Sequence, residues 1–470
     1  MTSSSPARHF EADAETRARH LETWKSWLRI PSVSSASAHR DDVREAARWL
    51  DRLFRDSGLQ SRLVETDRHP IVIAETPPVP DAPVAMVYGH YDVQPPEPLD
   101  QWESPPFEPT LRDGNLYARG ATDDKGQVLT HILAVCDAMQ SGKPLPLQIK
   151  LLIEGEEEVG SESLAERLDS WKDKLACDCI VISDSSQYAD GVPAITVGLR
   201  GIATYELSIQ GPSQDLHSGT FGGSVMNPAI AMAKVLASMV NDEGRIQIEG
   251  FYDDVRDIPE SIREAWSKLP ADEQTFAAET GVPHPHGEAG FTTNERRWAR
   301  PTFDVNGLTS GHQGEGVKTI IPATAHAKFS FRLVLDQDPS KITDCLRKHL
   351  DRVVPNSVRY ELVEDHGAAG MAVNPDSPFI EAARVAVRSG FDRDPVLVCE
   401  GGSIPIVAEM QQALDCDCLL LGWGLNDDNL HSPNEKFRVA DFHRGIAASS
   451  ALWEAIGQLR HDGDGPWKLP

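Results

Sequence analysis

The sequence predicts an α/β fold: a main domain built on a mixed central sheet flanked by helices, interrupted by a smaller inserted α+β domain. Three observations point there. The chain has 470 residues, more than one ordinary hydrophobic core organises. Short apolar runs alternate with helical stretches in its first part and again near its end. Its middle carries longer strands in which apolar and polar residues alternate, the pattern of a sheet with one face in solvent.

Residues 10–57 read as helices. Leu21, Trp24 and Leu28 share one face, and Val43, Ala46, Ala47, Leu50 and Leu53 form a second apolar stripe that ends at Gly58. Four apolar runs then end in polar residues of one chemical kind. Val84–Tyr88 leads through Gly89 to His90 and Asp92, and Leu147–Ile153 leads to Glu154, Glu156, Glu157 and Glu158. Ile180–Ile182 leads to Asp184, and Cys418–Leu421 precedes a loop that carries His431. In open α/β sheets ligands bind beyond the carboxyl ends of the strands, so these four runs are expected to converge on one site. Lys125–Met139 reads as a helix.

In the middle, Ile202–Ile209 and Ala327–Leu335 alternate as half-exposed strands, and Asn227 caps a helix that Pro228 begins and that runs through Met239. A polar, Pro-rich stretch occupies Asp253–Pro301. Ser377-Pro378 starts a helix that stops before Gly390 and returns the chain to the main sheet. The expected domains are therefore 1–200 with 373–470, and an insertion at 201–372.

Acidic residues outnumber basic ones by 72 to 45, for a net charge of −27. That balance excludes nucleic acid as a partner, which needs a basic face, and reads as a solvated acidic surface with some carboxylates free to hold cations. The seven cysteines are too few for a disulfide framework in so long a chain. The triplets Cys177-Asp-Cys179 and Cys416-Asp-Cys418 invite a metal reading, but their apolar surroundings favour buried structural thiols. No apolar stretch reaches bilayer length and Met1-Thr-Ser-Ser-Ser-Pro6 holds no apolar run, so neither a membrane role nor a targeting leader is expected. The cytoplasm is the expected location.

Two divalent ions held by protein need about six ligand positions from His, Asp and Glu, one carboxylate often bridging. His90, Asp123, Glu158, Asp184 and His431, with Asp92 and Glu157 beside them, form such a set. Each has a plainer reading by itself: His90-Tyr-Asp92 as a polar turn, the Glu triplet as a solvated loop, Asp123-Asp124 as a helix cap. Their joint placement at strand ends is what argues for a site.

The motifs follow one another in order: Gly89-His-Tyr-Asp-Val-Gln-Pro95, Ala118-Arg-Gly-Ala-Thr-Asp-Asp-Lys-Gly126, Glu154-Gly-Glu-Glu-Glu-Val-Gly-Ser161, Ile182-Ser-Asp184, Asp215-Leu-His-Ser-Gly219, Glu400-Gly-Gly-Ser-Ile-Pro405 and His431-Ser-Pro-Asn-Glu435. From about residue 20 to the end, the chain resembles the zinc peptidase family of carnosinases, aminoacylases and succinyl-diaminopimelate desuccinylases. The resemblance implies a metallopeptidase that cleaves the amide bond of small peptides with two divalent ions, zinc first and manganese second. It implies that Asp123 bridges the ions, that His90 and Asp184 complete one site, and that Glu158 and His431 complete the other. Asp92 then orients His90, and Glu157 is the general base. Because residues 156–158 are all Glu, a one-residue shift of register is open; the spacing from Gly155 and from Gly160 favours Glu157.

By the same resemblance the insertion is a lid that also pairs two subunits into a homodimer. His217 would reach the neighbouring subunit's site and stabilise an oxyanion. Arg332 would capture a substrate carboxylate, and Thr319 would reach the substrate. Apart from the resemblance, Glu400, next to Gly401-Gly402-Ser403, is a carboxylate able to pair with the ammonium group that only a dipeptide carries. The competing readings are an N-acyl-amino-acid deacylase or desuccinylase and a non-catalytic binding protein. The second predicts a broken ligand set, and no ligand position is lost here.

Overall fold

The computed structural model describes residues 12–270, 273–402, 404–461 and 466–468; the Ser-rich start of the chain and Ser403 lie outside them. The chain packs as two compact units. One holds the chain up to Val197, Val373–Val398 and the chain from Ile406 on; the other holds Gly198–Ala372 and Cys399–Pro405. The segment Cys399–Pro405, placed from sequence in the first domain, thus packs with the second unit.

Helix α1 (Ala14–Leu28) begins where the Asp13 side chain accepts from the Thr16 amide, and it buries Trp24, Trp27 and Leu28. Helix α2 (Arg40–Asp56) buries Val43, Ala46, Ala47, Leu50 and Phe54. Leu21 and Leu53, expected on these faces, sit only half-buried, because the helical period carries them to the margin of the stripe. Strands β1 (Gln60–Val64), β2 (Ile71–Glu75) and β3 (Val84–His90) follow. Helix α3 (Lys125–Gln140) is buried throughout from Lys125 to Cys136. Strands β4 (Gln148–Glu154), β5 (Cys179–Ile182) and β6 (Ala194–Leu199) lead to the second unit.

That unit contains β7 (Gly201–Gln210), α4 (Pro228–Ser238), β8 (Thr302–Ser310), β9 (Thr324–Leu333), α5 (Pro339–Val353) and β10 (Arg359–Ala368). Its sheet runs β8-β9-β7-β10, antiparallel throughout. Tyr205, Leu207, Ile209, Phe329 and Phe331 from one face pack with Met232, Val235 and Leu346 of the two helices. The Pro-rich stretch is more regular than its composition suggests. It holds helices Glu260–Ser267, Glu273–Thr280 and Thr293–Ala299, the last opened by a Thr292/Glu295 capping box. Trp266 and Trp298 meet edge to face at 5.0 Å, and this aromatic contact gives the two short helices that carry them something to bury.

The chain then forms α6 (Pro378–Phe391), β11 (Asp417–Gly422) and α7 (Val439–Gly457). Helix α6 does not stop before Gly390 but runs through it, ending on Asp392 at φ +55°. Gly390 is needed for packing instead: a Cβ there would lie 2.5 Å from the Arg444 carbonyl and 2.8 Å from Ala448 Cβ on α7.

The main sheet runs β1-β2-β4-β3-β5-β11-β6. Strand β3 is parallel to β4 and β5, and β11 is parallel to β5. The outer pairings β1–β2, β2–β4 and β11–β6 are antiparallel. Four adjacent strands therefore point their carboxyl ends at one edge. The seven cysteines are unpaired; Cys177 and Cys416 Sγ lie 3.8 Å apart, and no cysteine joins a candidate metal group among the described residues. No helix of the described residues is long and apolar enough to cross a membrane.

Candidate metal centre

The edge shared by β4, β3, β5 and β11 carries two groups of donors, His90 with Asp123 and Asp184, and Asp123 with Glu158 and His431. Within each group one ligand atom per residue lies within 4.8 Å of the others. His90 is the last residue of β3, Glu158 follows β4 by one short turn, and Asp184 lies just past β5. His431 sits in the loop after β11 at φ +58°, left-handed backbone that a non-glycine residue rarely adopts. Asp123 belongs to both groups and divides its oxygens between them. Its Oδ1 lies 3.2 Å from His90 Nε2, and its Oδ2 accepts from His431 Nε2 at 2.8 Å. Asp184 Oδ2 is 4.0 Å from His90 Nε2, and Glu158 Oε2 is 3.5 Å from His431 Nε2.

This donor set fits divalent cations. His90 Nδ1 faces the Asp92 main-chain oxygen at 3.1 Å and its carboxylate at 3.4 Å, so Nδ1 carries a proton and Nε2 is turned towards carboxylate oxygens. That buried Nε2 makes no hydrogen bond, an arrangement that costs free energy unless positive charge stands between the donors. The titration behaviour says the same. Burial, with Asp123 adding to it, pushes Asp184 up to about 6 and Glu158 to about 9. Burial also raises Asp123, but the hydrogen bond from His431 and the nearby His90 ring outweigh it and hold that carboxyl low. Burial disfavours a charged His90, yet Asp123 and Asp92 pull its pKa well up. A pocket of buried carboxylates that retains protons so strongly is one that cations neutralise.

The three consecutive glutamates have separate surroundings. Glu156 is fully buried and faces away: Oε1 accepts from the His69 amide at 2.9 Å and Oε2 from the Ser163 amide at 3.1 Å. Glu157 lies beside the cluster, its carboxyl pushed well up by burial, lowered by His90 and raised by Asp184, Glu158 and Asp123. Asp92 does more than face His90, because its Oδ2 also accepts from the Glu158 amide at 3.2 Å. Two neighbours escaped the sequence reading. Gln94 Nε2 donates to Glu158 Oε2 at 2.8 Å, and the His90 amide donates to Asp124 Oδ2 at 3.2 Å. The signal for Asp124 was Gly89, where a Cβ would lie 2.6 Å from that same oxygen.

Of the remaining predicted residues, His217, Thr319, Arg332 and Glu400 belong to the second unit. His217 is exposed, and its Nδ1 accepts from the Gly219 amide at 3.1 Å. The Thr319 carbonyl accepts from the Ser218 amide and hydroxyl, each at 3.1 Å. Arg332 is half-buried on β9, on the face opposite the buried Phe329 and Phe331, and burial lowers its pKa. Glu400 Oε1 accepts from the Gly401 amide at 2.7 Å. Arg200 holds that turn by donating to the Gly401 and Arg300 carbonyls, each at 3.2 Å; burial, then Arg332, bring its pKa to about 10.

The family model described as peptidase family M20/M25/M40 matches residues 86–455. The chain is 33% identical over 446 residues to the Cys-Gly metallodipeptidase DUG1 of Saccharomyces cerevisiae, covering 90% of this chain and 92% of that one. It is 31% identical over 469 residues to the Beta-Ala-His dipeptidase of Homo sapiens, covering 93% and 90%. Among solved structures it resembles human carnosine dipeptidase 1, with a TM-score of 0.82 at 30% identity over 95% of this chain and 97% of that one. It also resembles the M20 family metallo-carboxypeptidase Sso-CP2 from Sulfolobus solfataricus, with a TM-score of 0.84 at 30% identity over 93% and 99%.

Proposed function

Because the chain belongs to peptidase family M20/M25/M40, we propose that it is a metal-dependent dipeptidase whose ligands are His90, Asp123, Glu158, Asp184 and His431. The observation that carries this reading is the division of Asp123, with one oxygen towards each histidine. Zinc suits the His and carboxylate donors, and manganese competes for them. Bound there, two divalent ions supply the Lewis acidity that polarises the scissile carbonyl and makes water acidic enough to ionise near neutral pH.

The side chains supply the rest. Glu157 accepts the proton of the attacking water and hands it to the departing amine; it lies beside the donor cluster without being one of the donors that meet in the two groups. Asp92 fixes the tautomer of His90 and holds the backbone at Glu158. Arg332 grips the substrate carboxylate, Glu400 and Ser403 meet its amino end, Thr319 contacts it, and His217, contributed by a second copy of the chain, stabilises the developing oxyanion. The second unit is then both lid and dimer contact. Seven unpaired cysteines suit a reducing compartment, so the cytoplasm is the assigned location.

The likeness to a metallo-carboxypeptidase favours one other reading, removal of carboxyl-terminal residues from longer peptides. A panel of dipeptides, their N-acetylated forms and tripeptides, assayed on chelator-stripped protein with added Zn²⁺ or Mn²⁺, separates the two. Dipeptide turnover only with metal is expected. Preference for longer or N-acetylated substrates would overturn the dipeptidase assignment, and full activity without metal would overturn the metal ligands.

A further inference from the structure

We propose that Glu435 is a positioning residue that sets the place of Asp123, and hence the metal affinity of both donor groups; this rests on the two-metal reading above. Glu435 is completely buried and its carboxylate takes four donors from one loop. Oε2 accepts from Arg119 Nη1 at 2.7 Å and from the Gly120 amide at 2.9 Å. Oε1 accepts from the Thr122 amide at 2.9 Å and the Asp123 amide at 3.1 Å. The loop is clasped from outside as well, since the Ala118 amide donates to the Glu435 carbonyl at 3.1 Å and the Thr122 hydroxyl to the Lys436 carbonyl at 2.6 Å.

The geometry ties two distant stretches of chain into one support. Glu435 stands four positions after His431, and Asp123 is the residue that both donor groups share. One carboxylate therefore sets the distance between the turn bearing Asp123 and the turn bearing His431. An uncharged amide cannot replace it. Glutamine keeps one acceptor oxygen, and its NH₂ would point at two N–H donors, whichever way it is turned. Two of the four donors are then orphaned in a dry interior and the turn must shift. Partners that orient ligands in this way typically carry 10–100-fold in metal affinity.

The test uses metal-stripped, refilled full-length protein and reads zinc affinity by competition with a chromophoric chelator, alongside thermal unfolding of the apo form. Glu435→Gln is expected to weaken both zinc sites about 10–100-fold. At saturating zinc it should recover kcat in part, with KM little changed. Glu435→Asp keeps the charge but withdraws it by one methylene, so it should fall between parent and Glu435→Gln. Glu288→Gln is the matched control. Glu288 is also a buried carboxylate, held by Arg300 at 2.7 and 2.9 Å and by Arg245 at 2.6 Å. Its loss should lower the unfolding temperature and leave zinc affinity alone. Parent zinc affinity in the folded Glu435→Gln and Glu435→Asp proteins would overturn the proposal, as would an equal loss in Glu288→Gln. A parent protein that binds no zinc would instead overturn the metal reading on which it rests.

Discussion

Replacing Glu157 and Glu156 in turn by Gln separates two neighbours that composition cannot tell apart. Glu157→Gln keeps the size and polarity of the side chain and removes its ability to take a proton. General-base catalysis contributes about 10²–10⁴ in rate, so kcat should fall by that factor, about 3–5 kcal/mol of transition-state stabilisation. KM and metal content should hardly move, because Glu157 is not among the donors that meet in the two groups. Glu156→Gln acts elsewhere. Its two oxygens hold the amides of His69 and Ser163, and Gln turns an NH₂ towards one of them. Losing one such buried bond to a charged acceptor costs about 1.5–3 kcal/mol. The protein should therefore melt earlier while the folded fraction keeps near-parent kcat. The assays are steady-state kinetics on a dipeptide, metal analysis of the dialysed protein and thermal unfolding. The assignment is refuted if Glu156→Gln is the dead but metal-loaded variant and Glu157→Gln remains active.

Arg332→Lys should raise KM for dipeptides at least tenfold with a smaller change in kcat, since a point charge cannot make the paired contact a guanidinium makes with a carboxylate; unchanged KM would remove Arg332 from the substrate site. If His217 acts across a dimer, the inactive variants His217→Ala and Glu157→Gln, refolded together, should regain part of the parent turnover. Heterodimers verified by mass spectrometry without that recovery would place His217 in its own subunit's service or outside catalysis. His131 offers a pH test of the core. It is fully buried, with Nε2 2.7 Å from the Ser183 hydroxyl and Nδ1 2.8 Å from that of Ser449. Because Ser449 already donates to the Gly445 carbonyl, the neutral ring donates from Nδ1 and accepts at Nε2. Burial holds its pKa down at about 3, below the unfolded value of about 6.5. The unfolded chain thus binds the extra proton first, so this stabilisation is complete above pH 6.5 and is lost as pH falls towards 3. Urea unfolding of parent minus His131→Gln should lose about 1.4 kcal/mol per pH unit in that window; a flat difference would show that His131 already carries its proton in the folded state.

Residue types and local patterning carried the fold class and most of the chemistry. A buried parallel strand has to be apolar on both faces, so the runs ending at His90, Glu154 and Ile182 announce themselves. The donors stand just past those ends because the carboxyl edge is where side chains leave the sheet. Asn227-Pro228 likewise specifies its helix locally, through the cap bond to the Ala229 amide. Local order also hid some features: the short helices Glu260–Ser267 and Thr293–Ala299 meet through a Trp266–Trp298 contact far apart in sequence, and Gly390, which reads as a helix stop, is a seat for α7.

Only the tertiary structure decided which donors meet. His431 reaches Asp123 across 308 positions, a contact that exists because β11 lies beside β5, and β5 beside β3. Parallel neighbours need long crossovers, so their pairing leaves no short-range trace in the sequence. The split between Glu156 and Glu157 has the same origin. All three carboxylates of the triplet are chemically alike, and their roles diverge only when one turns inward to amides at His69 and Ser163 while the next stays beside the cluster. Gln94 and Glu435 were equally silent, because a glutamine or glutamate in a loop acquires meaning only from the donor or acceptor that folding sets against it.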